Sequence, residues 1–414
     1  MRMKLNKSSQ LLLVCVAGLL AAGLVTACGT TTTDFVYVAS AKAAGPYNYG
    51  EIDVFEINSV SGFMRQIPTS PFPSGGRNPV AEAVSTDNLN LYVVNQDDNT
   101  IVQFAIGPDG KLYPQNTVNT PGIFPLAIAV NGSNLFVLDT YQPLPACSNA
   151  DPCSGSVAVF PILPGSGTGS NATQGGAPGT PVVNGPLNYW PLNLPGVAST
   201  DIVLPTAVNA LKSGSYLYVA AYDTTTGTGY IFGFAVGASG ALAPVNGGVP
   251  LDMGVGVHPS AIASDSTSNF IYVTDSANGA VISYSVASGV PTRLGSSPTG
   301  NQPSAIVADP KYPYVYVVNA LDGNVEAYSI SSSGSLGFLG GSATPVTYTA
   351  GIQPVAVGID PSTDHFLFTV NFLGSDVSDF DMDITTGTLV NAQRTPYTSN
   401  AQPTAVAAVP HKTS

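Results

Sequence analysis

A strand-and-turn composition, one phrase that recurs seven times and two chain ends that complete each other predict an all-β chain. The fold they specify is a seven-bladed β-propeller of four-stranded antiparallel blades, its ring closed by a C-terminal inner strand joining three N-terminal strands. Of 414 residues only 9% are charged, four are Glu, 44 are Gly and 34 are Pro. Abundant Val, Thr, Tyr and Ser suit strands and turns better than helices. Beyond the N-terminus no stretch keeps apolar residues at helical spacing. A single core stops growing at roughly 250–300 residues, so the chain must divide or repeat a small unit.

The repeat starts on a Pro followed two residues later by Ala. Its registers are "NPVAEAVST" from Asn78, "FPLAIAVNG" from Phe124, "LPTAVNALK" from Leu204, "HPSAIASDS" from His258, "QPSAIVADP" from Gln302, "QPVAVGIDP" from Gln353 and "QPTAVAAVP" from Gln402. Six continue through a tight turn into strands such as "LYVVN", "IYVTD" or "LFTVN". A polar turn and an alternating strand such as "TIVQFAI" or "NVEAYSI" follow, then a Gly-x-Leu turn and a Pro-containing stretch. The seventh register ends the chain, whereas the other end opens mid-unit with "DFVYVAS", "EIDVFEI" and "RQIPTSPF". One sheet can therefore be built from both ends, sealing a ring and hiding its edges. The Ala after each Pro belongs on the innermost strand, where blades crowd the axis.

These phrases resemble the seven-bladed β-propellers of the YVTN-repeat and lactonase-like group. The marks are "IYVTD" at 271–275, "VYVVN" at 315–319, the Pro-x-Ala starts and turns such as "GSL" at 334–336. The resemblance spans nearly the whole chain after residue 33 and implies the fold. Members similar to 6-phosphogluconolactonase open lactones, but that substrate is cytosolic and phosphorylated, and propellers host hydrolases, receptors and scaffolds alike.

The N-terminus reads as an address. Arg2, Lys4 and Lys7 precede an apolar run from Leu11 to Val25, a secretory pattern slightly short for a membrane span. It ends in "LVTAC", which resembles the lipobox of bacterial lipoproteins with Cys28 as the acylated residue. Residues 1–27 are then a signal peptide, residues 28–33 a tether and residues 34–414 one propeller domain. Gly29 favours the outer membrane as the destination. Chain direction puts the first strand's start on the bottom face, and Gly29 to Thr33 span roughly 20 Å when extended. The bottom face is expected near the membrane, with the top outward.

Cys15 leaves with the signal, so Cys147 and Cys153 in "CSNADPC" are the remaining pair. In an oxidising envelope they read as a disulfide; the metal alternative needs more ligands, and no His is near.

The top loops after the "YVVN"-type strands give a ring of Ser40, Asn95, Asp139, Ala221, Asp275, Asn319 and Asn371. Short polar side chains at such positions bond their own turn, or line a binding face. Departures from the repeat are more informative. Glu82 stands where other registers have Ile or Val, so its pKa should rise unless Arg77 or Arg65 pairs with it. It is either a carboxylate satisfied by a neighbouring blade, or a general base or ligand contact. His258 precedes a register Pro where Gln302, Gln353 and Gln402 stand elsewhere, and reads as a turn residue or a partner for a carboxylate. An insertion at about 141–203 carries the cysteines and Trp190, the only Trp. Tyr141, Tyr189, Trp190 and Tyr222 could gather on one outward sector suited to a glycan or protein, or Trp190 could pin the insertion to its blade.

No nucleophile elbow, His pair for a metal or phosphate-cradling Gly loop appears, and no cofactor or metal is expected. Without Arg2, Lys4 and Lys7, nine Lys and Arg face 25 Asp and Glu, about sixteen net negative charges. That balance argues against nucleic acid and against a phosphorylated substrate. Two functions follow: a lipid-anchored, monomeric envelope module presenting its top to a glycan, peptide or protein, or an extracytoplasmic lactone hydrolase using Glu82 and His258.

Overall fold

The computed structural model describes residues 32–41, 49–58, 61–143, 147, 153–165, 175–182, 187–196, 201–361 and 365–410. Cys28, the signal and most of the tether lie outside them. The described residues form seven antiparallel sheets, numbered here as blades 1–7 in chain order. Each has an inner, second and third strand and an outermost one, which is broken into two segments in five blades.

Six inner strands are Pro79–Val84, Ile123–Asn131, Val203–Ala210, Pro259–Ser264, Pro303–Ala308 and Pro354–Ile359, in blades 2–7. The seventh, Pro403–Pro410, belongs to blade 1, where it pairs with Thr32–Ser40. Its register runs from Asp34 opposite Pro410 to Ser40 opposite Pro403. Each inner strand touches the next, and Pro403–Pro410 touches both Pro354–Ile359 and Pro79–Val84. The circle of seven closes through the two chain ends, as the complementary half-units predict.

Every register Pro faces one residue of the ring read from the sequence, from Pro79 opposite Asn95 round to Pro403 opposite Ser40. A bulge adjoins the Pro in each blade, and Pro suits that place because it offers no N–H that the ladder would miss. Asn78, Phe124, Gln302, Gln353 and Gln402, just before a register Pro, hold left-handed φ of 55–59°. Four of these residues are anchored through their carbonyls, which accept from Gln96, Ala320, Phe372 and Ala41 amides at 2.8–3.0 Å.

The Tyr of the recurring phrase and the Gly of the Gly-x-Leu turn are two halves of one contact between blades. Tyr37 donates its hydroxyl to the Gly110 carbonyl of the next blade (3.1 Å), Tyr218 to Gly289 (2.9 Å), Tyr272 to Gly334 (3.2 Å) and Tyr316 to Gly387 (3.1 Å). Tyr92 reaches Gly176 in the insertion at 2.7 Å. Phe136 and Phe368 fully bury a ring at the corresponding position of blades 3 and 7 without the hydroxyl. A second latch lies nearer the axis: Ser260, Ser304 and Thr404 donate to the register-Pro carbonyls of the following blade, Pro303, Pro354 and Pro79, at 2.6–2.8 Å. Between the latches, apolar side chains of adjacent blades fill each seam, with Phe35, Tyr37, Val93, Val102 and Phe104 at the seam of blades 1 and 2. Fully burying each such side chain contributes about 1.5–3 kcal/mol.

The glycines of the Gly-x-Leu turns leave no room for a side chain: a Cβ on Gly110, Gly334 or Gly387 would meet an aromatic ring of the preceding blade. Gly334 has φ +83°, and a Cβ there would meet the Phe270 ring at 2.2 Å. Gly334→Ala is expected to cost about 2–4 kcal/mol through overpacking and left-handed strain. Gly132→Ala, at φ +55° with open space around it, should cost about 1 kcal/mol. Denaturant titration of both variants checks the difference.

Candidate functional site

The polar ring lies beneath the top loops and bonds to them, the first of its two readings, which corrects the second, a binding face. Asn95, Asp139, Asp275, Asn319 and Asn371 are all buried. Asn95 accepts from the Ser74 hydroxyl (3.0 Å), and Asp139 from the Gly122 amide (3.0 Å). Asp275 accepts from the His258 and Ala277 amides at 3.0 and 3.2 Å and from the Asn278 side chain at 2.7 Å. Asn319 donates to Asn324 at 2.8 Å, and Asn371 to Ser378 at 2.9 Å. Loop backbone covers four of them closely: a Cβ on Gly76, Gly122, Gly300 or Gly351 would come within 2.3–2.8 Å of Asn95, Asp139, Asn319 and Asn371 respectively. These residues hold the loops in place. Burial pushes the Asp139 carboxyl up to about 7 against the pull of Thr120 and Gly122.

The aromatic sector divides. Trp190 is only 4% exposed, donates its indole N–H to the Leu242 carbonyl at 3.2 Å, and packs with Phe136, Val157, Leu217 and Phe234 in the seam of blades 3 and 4. Tyr189 is equally buried. Both therefore leave the list of surface residues: the end of the insertion folds back, pairing Trp190 with Val157, and the ring pins it there. Tyr141 stays half-buried with its edge on Phe124, the ring centroids 6.3 Å apart. Cys147 and Cys153 are bridged, with Cα atoms 5.5 Å apart.

Tyr222 lies over the His258 ring at 4.0 Å between centroids. His258 Nδ1 is 3.2 Å from Ser276 Oγ, but that hydroxyl donates to the His258 carbonyl at 3.0 Å. Asp275 is engaged by loop N–H groups, so His258 is left beside one hydroxyl whose proton goes to His258's own carbonyl.

Glu82 lies in the seam of blades 1 and 2, opposite Val93. The residue as a whole is half-buried, yet both carboxylate oxygens are sealed and find no partner among the described residues. The two cations suggested by the sequence are held elsewhere, which corrects that pairing. Arg65 bonds Glu56 at 2.6 Å, and Arg77 grips Asp98 at 2.6–2.7 Å. Burial drives the Glu82 carboxyl well above its usual range, and the nearby Ala407 amide pulls it the other way without closing a hydrogen bond. Asp379 repeats the situation on the other flank of blade 1. Both its oxygens are sealed and without a partner among the described residues, near Gly62 of the neighbouring blade, and its pKa is raised first by burial and then by Asp381.

A top-face feature escaped the sequence reading. Leu321, Ile352 and Leu373 are 72%, 65% and 62% exposed and line one groove of about 600 Å³ between blades 6 and 7. Asp322 and Gln353 share its wall. Leu321 and Leu373 occupy the same turn in two successive blades, where blade 2 has Asp97 and blade 5 has Ala277. Aliphatic residues at a turn apex are the signal that could have found the groove. No group of three metal-ligating side chains occurs among the described residues.

Residues 191–398 match the family model "Lactonase, 7-bladed beta-propeller". No curated protein sequence matches the chain. Among solved structures, a candidate 6-phosphogluconolactonase from Bacteroides fragilis is similar at 20% identity and TM-score 0.68, over 92% of this chain and 99% of that one. A Pseudomonas aeruginosa periplasmic gluconolactonase is similar at 17% identity and TM-score 0.66, over 91% and 99%. At these identities the likeness carries the fold alone. Seven blades sealed at the chain ends, together with a family match over half the sequence, place the protein in the seven-bladed β-propeller lactonase family.

Proposed function

We propose that this propeller is a lipid-tethered recognition module of the cell envelope that binds a peptide or protein through its top face. One observation carries the reading: three aliphatic side chains, each more than three-fifths exposed, converge on a single top groove. Water-exposed aliphatics gathered in one place are costly unless something covers them. Their aliphatic character favours a peptide side chain over a sugar ring, which aromatic platforms suit better. The pairing of Asp34 with Pro410 brings both ends of the propeller out at the face opposite the groove. A lipid on Cys28 would then hold the bottom to an outer membrane and leave the groove free.

Lactone hydrolysis is the second reading, favoured by family membership and the gluconolactonase-like neighbours. It would draw on Glu82 and on His258 beside Tyr222. A panel of aldonolactones and acyl lactones incubated with the purified chain separates the two. No turnover above background is expected; hydrolysis abolished by Glu82→Gln or His258→Ala would replace recognition with catalysis. Loss of palmitate labelling in Cys28→Ala checks the anchor.

A further inference from the structure

We propose that the groove between blades 6 and 7 takes an apolar side chain of a basic peptide segment, Lys or Arg flanking the residue that enters. The inference rests on the recognition reading above and adds the chemistry of the partner. Leu321, Ile352 and Leu373 line the groove together with the small residues Thr349, Ala350 and Gly351. Gly351 must stay small, because a Cβ would meet Asn371 at 2.3 Å. The opening thus suits one or two side chains rather than a folded domain.

Charge selects among the occupants. The top turns of blades 6 and 7, residues 299–303, 320–323, 349–353, 372–375 and 399–402, hold Asp322 and no Lys, Arg or His. Asp322 stands beside the groove, oriented by the Asn301 backbone amide at 2.6 Å and its side-chain amide at 2.9 Å. Those same bonds hold its carboxyl below the usual range, so it stays charged. An apolar slot edged by a fixed carboxylate and free of cations fits a hydrophobic residue next to Lys or Arg. A second copy of this chain fits poorly, since two Asp322 carboxylates on two net-negative chains would meet with no cation between them. An anionic bilayer is disfavoured on the same ground.

The test uses the purified full-length chain in detergent and fluorescent synthetic 12-residue peptides. One set places Leu or Ile between Lys and Arg, a second replaces the cations by Asp and Glu, and a third replaces the aliphatics by Ser. The basic apolar set is expected to bind with a Kd of about 10 µM, weakening several-fold between 50 and 500 mM salt. Leu321→Ser and Leu373→Ser should each lose about tenfold and Asp322→Asn about threefold, while Leu294→Ser on an outer strand binds as the parent does. These positions are exposed, and unchanged melting temperatures confirm folding. Equal binding of the acidic set, binding indifferent to Leu321→Ser, or dimerisation abolished by Leu373→Ser overturns the proposal. If only a glycan array binds, through the top face, the partner is wrong and the recognition reading survives. If no ligand binds and lactones are hydrolysed, both fail.

Discussion

Ending the chain at Gln402 is expected to abolish cooperative unfolding. The lost strand, Pro403–Pro410, supplies the inner edge of blade 1 and the Thr404 latches to Ala39 and Pro79 at 3.1 and 2.7 Å. Val409 is almost wholly buried in the seam of blades 1 and 2, and Val406 packs in the seam of blades 7 and 1. Without them, Thr32–Ser40 becomes an open apolar edge and two seams are breached at once, which exceeds the roughly 5–15 kcal/mol margin of a folded domain. The shortened chain should lose its near-UV circular dichroism signal and bind a hydrophobic dye. A synthetic peptide of residues 401–414 should restore part of the signal. A truncated chain that melts sharply near the parent temperature would show that the last strand contributes little.

Glu82→Val should stabilise the protein by about 1–3 kcal/mol at pH 8, the cost of a sealed polar group with no hydrogen bond. Valine is what the equivalent registers carry at Val208, Val357 and Val406. The pH dependence has a definite sign. Burial raises the Glu82 carboxyl in the folded state, so the native protein holds a proton that the unfolded chain releases near pH 4.5. Stability is therefore fullest below that value and declines as pH rises towards the folded pKa, beyond which it levels off. Asp379, raised by burial and by Asp381 and Asp360, contributes in the same sense from about pH 3.8 upward. Tyr37 faces Glu82 but gives its hydroxyl to Gly110, so it provides no relief. Urea midpoints at pH 5 and pH 8 should differ less in Glu82→Val than in the parent. A variant less stable than the parent at both values would contradict this account of the seam.

The architecture was legible because it is written repeatedly. Seven Pro-x-Ala starts gave seven inner strands, and the half-units at the ends gave the closure. What bonds the blades was harder to see. Tyr272 and Gly334 both stand in recognisable phrases, but their hydrogen bond spans 62 residues of chain and appears only when wedges are placed side by side. The environment of Glu82 followed from register, whereas its partner did not: Arg65 and Arg77 are close in sequence, yet cross-strand and turn geometry hand them to Glu56 and Asp98. Trp190 kept two readings, outward or pinning its insertion, because an insertion has no register to place it, and two residues of pairing with the third strand turned it in. The groove was missed for the opposite reason. Leu321 and Leu373 sit in turns that otherwise obey the repeat, and single aliphatics there carry no pattern until Ile352 joins them in space.

The join between the two chain ends is tested most directly by cross-linking it. Val36 lies opposite Ala408 in blade 1. The pair Val36→Cys and Ala408→Cys should form a disulfide in the folded chain during mild oxidation, giving a faster-migrating non-reduced band with an unchanged or raised melting temperature. The offset pair Val36→Cys and Val406→Cys should not. Cross-linking that is absent from the aligned pair in the native state, or as efficient in the offset pair, would contradict a ring sealed by its own ends.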